Sequence, residues 1–286
     1  MVHFEHDAEH DDDRPVGRLL GRREVMRLLG LGGAAAVIAP GSFGRPWSPG
    51  ALPACVARPE MDEGPYFVPD MLKRSDIRTD SATGAVVPGV PLALAFNISQ
   101  VANGACMPLP GATVDIWQCN ALGQYSGFSD PRQGFETAGQ TFLRGVQPTG
   151  SKGDAAFSTI YPGWYRGRAV HIHVKIRTTA PSGAYEFTTQ LFFDEALSDQ
   201  IHGRAPYAAN GRRDTLNARD GIFQRGDKTV LEVTKRGDGY AATYDIALDL
   251  SDAAAGRPDG RGGRGGPGRG RGRGGSGATD GEIWRA

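Results

Sequence analysis

Two histidines, His171 and His173, stand one residue apart in the run Val170-His171-Ile172-His173-Val174-Lys175-Ile176. Side chains alternate faces along a strand, so these imidazoles project together while Val170, Ile172, Val174 and Ile176 pack on the other face. Same-face neighbours lie about 6–7 Å apart at Cα, close enough for both rings to reach one metal ion. The chain has 6 His, and His3, His6 and His10 lie near its N-terminus, so only His202 remains besides this pair. No Cys-x-x-Cys, His-Glu-x-x-His, Gly-x-Ser-x-Gly or phosphate-loop pattern competes with it. The plain alternative is a polar sheet face that happens to carry two His.

Imidazole suits zinc, copper, iron or nickel, so the remaining donors choose the metal. From Ala155 to Tyr185 there is no Asp or Glu, which disfavours the ferrous arrangement of two His and one carboxylate. Phenols lie close instead: Tyr161, Tyr165 and, upstream, Tyr125. A deprotonated phenol is a hard anionic donor, and a ferric ion is the hard cation that would depress its pKa. Two Tyr and two His would leave a fifth position open. The residue types alone leave open which tyrosines serve and which belong to the core.

A scaffold of strands must hold these groups. Apolar or alternating segments of strand length recur at Pro91–Ile98, Ala112–Trp117, Thr141–Val146, Ala156–Tyr161, Val170–Ile176, Glu186–Phe193, Thr229–Val233 and Ala242–Leu248, with Gly, Pro, Asn and Ser between them. That spacing predicts an all-β, two-sheet β-sandwich with long loops over residues 55–255. Helix-like stretches are short, at Asp194–His202 and Arg213–Arg219. The 286 residues include 42 Gly and 19 Pro, which argues against a helical bundle.

The two ends read differently. Arg22-Arg23 precede twelve apolar or small residues, Leu28 to Ala39, too few for a stable membrane anchor, which needs about 20. A twin-Arg pair before a short, mild apolar run predicts an export signal, with a Pro-containing linker completing residues 1–54. The chain would then work in the periplasm or outside the cell. Residues 256–286 form a Gly/Arg-rich tail expected to be disordered, with twelve Gly and six Arg between Gly256 and Gly277. Net charge is zero, and residues 31–255 carry 22 acids and 20 bases, so the domain shows no charge signature for nucleic acid.

Four sequence blocks, in order, give the chain a family likeness. They are Glu63-Gly64-Pro65-Tyr66-Phe67-Val68 with Arg74-Ser75-Asp76-Ile77-Arg78; Pro108 to Ala121 running into Gly123-Gln124-Tyr125-Ser126-Gly127-Phe128; Pro162-Gly163-Trp164-Tyr165 leading through Arg168 to His171-Ile172-His173; and Thr188-Thr189-Gln190-Leu191-Phe192-Phe193. Over about residues 58–250 the chain resembles the intradiol ring-cleavage dioxygenases, which act on catechol, protocatechuate or hydroxyquinol. The resemblance implies an Fe(III) cofactor held by Tyr125, Tyr165, His171 and His173. It makes Tyr165 the ligand that leaves with a substrate proton, Arg168 the charge stabiliser, Gln190 a hydrogen-bonding wall residue and Tyr66 part of the substrate pocket. Tyr161 matches no ligand role and is assigned to the core, and Asn120 stands where the family often has Asp. The implied partners are an aromatic diol and dioxygen, with a homo-oligomer as a compatible assembly.

Two other readings start from the same residues. A cupin-like metal oxygenase also begins from His-x-His, but would want a Glu shortly after and a later His, where only Glu186 and His202 are on offer. A secreted β-sandwich binding module would have no use for Tyr125, Tyr165, His171, His173 and Arg168 together. Of the 3 Cys, Cys106 and Cys119 flank a turn and strand. In an exported protein they could be bridged, or be two small buried hydrophobes.

Overall fold

The computed structural model of the chain describes residues 58–69, 71–102, 105–181 and 183–251. The expected export segment and linker at 1–54 and the Gly/Arg-rich tail at 256–286 lie outside the described residues. The order of elements is β1 (Pro91–Ala102), β2 (Ala105–Pro108), β3 (Thr113–Trp117), β4 (Ser129–Asp130), β5 (Phe135–Glu136), β6 (Arg144–Pro148), β7 (Asp154–Ile160), β8 (His171–Ala180), β9 (Gly183–Phe192), α1 (Glu195–His202), α2 (Gly221–Arg225), β10 (Val233–Arg236) and β11 (Gly239–Leu248). Among the described residues no helix is long and apolar enough to cross a membrane.

The strands form the two main sheets expected of a sandwich. In the first, the order is β10-β11-β1, and the far edge of β1 is shared by β7 along Pro91–Asn97 and by β2 along Ser99–Ala102. The pairing of β1 with β11 is parallel, from Leu92↔Tyr240 to Gln100↔Leu248. The second sheet has the antiparallel order β6-β3-β8-β9. Their facing sides bury Leu92, Leu94, Phe96 and Ile98 of β1, Val114 and Ile116 of β3, Ile172, Val174 and Ile176 of β8, and Tyr244, Ile246 and Leu248 of β11 in one core. Each such side chain contributes roughly 1.5–3 kcal/mol when taken fully out of water, and the β-branched residues of β8 suit an extended backbone.

The other face of the second sheet positions the chemistry. Antiparallel register sets Arg144 on β6 opposite Trp117 on β3, Trp117 opposite His173 on β8, and His173 opposite Gln190 on β9. Directly paired residues share a face, so these four make one row across the sheet. That row is not open to solvent. The segment before β1 covers it: the Met61 N–H donates to the Thr188 carbonyl at 2.8 Å, and the Phe67 ring lies 5.0 Å from Trp117 and 4.7 Å from the Lys175 ammonium. His171 is 2% and His173 0% exposed.

Several element boundaries differ from expectation for local reasons. The Thr141–Val146 strand begins only at Arg144, because Leu143 adopts φ 54° and turns the chain. Val233 alone of Thr229–Val233 joins a strand, while Val230 makes an isolated bridge to Phe192. Asp194 caps α1 by accepting from the Leu197 N–H at 2.8 Å. Arg213–Arg219 is not a helix beyond the single turn Asn217–Arg219. Its ends are pinned to α1 instead, by the Arg213 ion pairs with Glu195 and Asp199 and the Asn217 N–H on Glu195. The Cys106–Cys119 bridge does not form: Cys106 is disulfide-bonded, whereas Cys119 is free and buried. The two belong to opposite layers, Cys106 on β2 of the first sheet and Cys119 just beyond β3 of the second. The remaining cysteine, Cys55, lies outside the described residues.

Candidate active site

His171 and His173 project from the outer face of β8, and their Nε2 atoms approach to 3.0 Å. Two loops bring phenols to the same point. Tyr125 lies in the loop after β3 and Tyr165 in the loop between β7 and β8, and each Oη lies 3.4 Å from the His171 Nε2. The loop of Tyr125 is braced by Arg144, whose Nη2 donates to the Ser126 carbonyl at 2.8 Å. His171 Nδ1–H donates to the Ala169 carbonyl at 2.7 Å; since a carbonyl only accepts, Nε2 keeps its lone pair facing the cluster. The His173 ring is fixed by stacking on Trp117, with centroids 4.8 Å apart and planes within 8°. Its Nδ1 has no hydrogen-bond partner among the described residues.

Arg168 reaches the cluster from the loop that carries Tyr165. Its Nη1 donates to the Tyr165 Oη at 3.4 Å, its Nη2 to the Gln190 Oε1 at 2.5 Å, and its Nε to the Asp220 Oδ2 at 2.9 Å. Gln190 is oriented in turn by donating from Nε2 to the Asp62 carbonyl at 2.9 Å. Tyr66 stacks on Tyr125 with centroids 4.3 Å apart and meets Tyr165 edge-on at 5.7 Å, while its hydroxyl donates to Asp130 at 2.5 Å.

Burial sets the protonation of these groups. It drives Tyr125 well above the usual phenol range, and pushes Tyr165 up to about 12 against the pull of Arg168. Burial, reinforced by the charge of Arg168, holds His171 and His173 below their ordinary range. Both imidazoles are therefore neutral donors, and both phenols hold their protons unless a cation lowers their pKa. Two neutral nitrogens and two latent oxyanions suit a hard, highly charged metal ion. Among the described residues no group of three His, Cys, Asp or Glu gathers elsewhere.

The structure thus brings together Tyr125, Tyr165, His171, His173, Arg168, Gln190 and Tyr66. Tyr161 stands apart in the main core, with its hydroxyl 2.7 Å from the Ser198 Oγ. His202 also stands apart, donating from Nε2 to the Pro162 carbonyl at 3.0 Å and stacked on Tyr207. Reading the sequence missed Asp220, the buried partner of Arg168; Asp220-Gly221-Ile222-Phe223 carries only the ordinary signal of a helix cap. It also missed the stacking of Trp117 on His173, which depends on a register that no local pattern reveals.

A family model described as Dioxygenase matches residues 62–249, which take in all seven of these residues. The fold and this cluster accordingly define a dioxygenase. An intradiol ring-cleavage dioxygenase of Tetranychus urticae is 32% identical, with 69% of this chain and 96% of that one covered at a TM-score of 0.59. The chain belongs to the intradiol ring-cleavage dioxygenases, and its activity is the opening of a catechol-type ring. The dioxygenase domain of a dioxygenase–carbohydrate-binding protein fusion from Streptomyces sp. SirexAA-E is also 32% identical, covering 68% of this chain and 100% of that one at a TM-score of 0.48. A hydroxyquinol 1,2-dioxygenase from Pseudomonas putida is 20% identical, covering 68% of each chain at a TM-score of 0.47. No match is found among curated proteins.

Proposed function

We propose that Tyr125, Tyr165, His171 and His173 hold a ferric ion, and that the chain uses it to cleave catechol, protocatechuate or hydroxyquinol between the two hydroxylated carbons, giving a muconate-type dicarboxylic acid. The observation that carries this reading is the approach of three donor atoms, two phenolic and one imidazole, to the Nε2 of His171 within 3.4 Å. When bound, the ion acts as a Lewis acid and template for the diol.

The protein's own groups then have distinct tasks. With the ion bound, Tyr165 would be a phenolate and so able to accept a substrate hydroxyl proton; its Oη also faces the Arg168 guanidinium, which stabilises the negative charge of that phenolate. Among the described residues Tyr125 has no such cation within hydrogen-bonding distance; stacked under Tyr66, it stays in place. Arg168 is permanently charged and already oriented, so it stabilises negative charge developing on the ring without reorganising. Gln190 fixes that guanidinium and forms the wall beside it. The two imidazoles stay neutral throughout, and the cover of Phe67 and Tyr66 keeps water from the reacting face.

Oxygen uptake by the iron-loaded chain on the three diols tests the activity, and two variants test the assignment. Tyr165→Phe should keep its iron through Tyr125, His171 and His173, change its visible absorption, and lose about 10²–10⁴-fold in turnover. His171→Ala should lose the iron itself. A Tyr165→Phe chain with the parent's spectrum and rate would refute the ligand set.

A further inference from the structure

We infer that Asp220 is a positioning residue for this reaction: it sets the orientation of the Arg168 guanidinium. The inference rests on the role proposed above for Arg168. Asp220 is fully buried, at 0% exposure, and comes from a segment 52 residues further along the chain than Arg168. Its Oδ1 accepts the Phe223 N–H at 2.9 Å, which is all that capping α2 requires. The carboxylate does more than that: Oδ2 accepts from the Arg168 Nε at 2.9 Å and the Ala169 N–H at 2.8 Å, and Oδ1 also accepts from the Arg168 Nη2 at 3.5 Å. The carboxylate thereby grips both the side chain of Arg168 and the backbone beside it.

Three residues divide the guanidinium, Asp220 also accepting from Nη2 through Oδ1 at 3.5 Å. Asp220 holds Nε, Gln190 holds Nη2, and Nη1 is left directed at the Tyr165 hydroxyl. With one edge and one corner fixed, the plane cannot turn about its long axis, and Nη1 keeps its aim. The charge balance agrees. Burial alone would raise Asp220, but the charge and hydrogen bonds of Arg168 outweigh it and hold the carboxyl below its ordinary value. An ionised carboxylate beside a buried cation removes the penalty of leaving that cation unpaired. A neutral cap would serve α2 equally well and would leave Arg168 loose.

The test is Asp220→Asn in the full-length, iron-loaded chain, because Asn caps a helix as well as Asp does. Turnover should fall about 10²-fold, the loss expected from a misplaced reacting group. Iron per chain should stay at the parent level, and the midpoint of an anaerobic catechol titration followed by visible absorption should stay within about threefold, since Arg168 acts on charge that develops later. In an Arg168→Ala background the same change should cost less than about twofold, because residues acting as one unit are not additive. Should the Asn protein fail to fold, Asp220→Ser keeps a cap without the carboxylate and carries the same expectations. The inference is overturned by turnover within twofold of the parent, by losses that multiply in the double variant, or by a rate that falls only in step with lost iron. If the parent itself opens no catechol, or if Arg168→Ala costs nothing, the proposed reading fails first; a loss in Arg168→Ala with none in Asp220→Asn defeats only the role of Asp220.

Discussion

Gly64→Ala separates the support of His173 from ordinary backbone strain, and the structure supplies its control. Gly64 lies before the Pro65-Tyr66 pair at φ +73°, and a Cβ added there would sit 3.1 Å from the His173 Cε1. That contact is too close by a few tenths of an ångström, and the ring is already fully buried and stacked on Trp117. A non-glycine residue in the left-handed region costs about 1–2 kcal/mol, which in a domain of this size lowers Tm by roughly 2–8 °C. Tilting the imidazole away adds about 0.5–1.5 kcal/mol, or up to about tenfold in iron affinity. Gly84 has nearly the same φ, +71°, with nothing within 4 Å of an added Cβ. On the ligand set proposed above, Gly84→Ala should therefore melt lower while holding iron normally, and Gly64→Ala, which also precedes Pro65, should melt at least as low and release iron faster to a chelator. Thermal melting and chelator competition on both variants decide the matter. Equal iron retention in the two would refute the claim that Gly64 is there for His173.

Two further outcomes are expected. Asp115, on the same sheet face as His173, has its carboxyl pushed up to about 6 by burial, against the pull of Arg177 at 3.0 Å. A raised folded value means that the cost of keeping it ionised is absent below about pH 4 and complete above about pH 6, so its contribution to stability falls across that window by about 3 kcal/mol. Relative to the parent, Asp115→Asn should gain stability between pH 4 and pH 7 in denaturant titrations, and a difference independent of pH would refute this. The twin-Arg reading of Arg22-Arg23, with which a disulfide at Cys106 is consistent, predicts that changing both to Lys leaves the chain in the cytoplasm, as fractionation would show; normal export would refute it.

The strand pattern was legible because alternation is a local property: Val170 to Ile176 declares its two faces without knowledge of any partner. The convergence of His171, His173, Tyr125 and Tyr165 could also be anticipated, the histidine pair from its spacing and the choice of tyrosines only from the four ordered motifs. Contacts made across register or between distant loops could not be read. Trp117 meets His173 only because β3 pairs with β8 at that offset, and Asp220 meets Arg168 only because α2 folds back over the site loop. The outer face of β8 reads as a half-exposed strand, yet it is buried, because its cover comes from Met61 to Phe67, far upstream in the chain. The cysteines show the same limit. Cys106 and Cys119 are near in sequence but fall in different sheets, a division set by topology.

The parallel pairing of β1 with β11 imposes an order of events during synthesis. Its nine register pairs join Leu92–Gln100 to Tyr240–Leu248, so the first sheet lacks its central partner until nearly the whole domain has left the ribosome. Closing a loop of that span is entropically slow compared with forming hairpins such as β8–β9. Every donor residue, from Tyr125 to His173, is made well before that closure. A nascent chain therefore carries its imidazoles on a strand, and its phenols on the adjoining loops, before β11 completes the cover of the apolar underside. On the ligand set proposed above, durable capture of a metal ion would wait on the arrival of the last strand, and a chain cut short before β11 would present those side chains without the completed core beneath them.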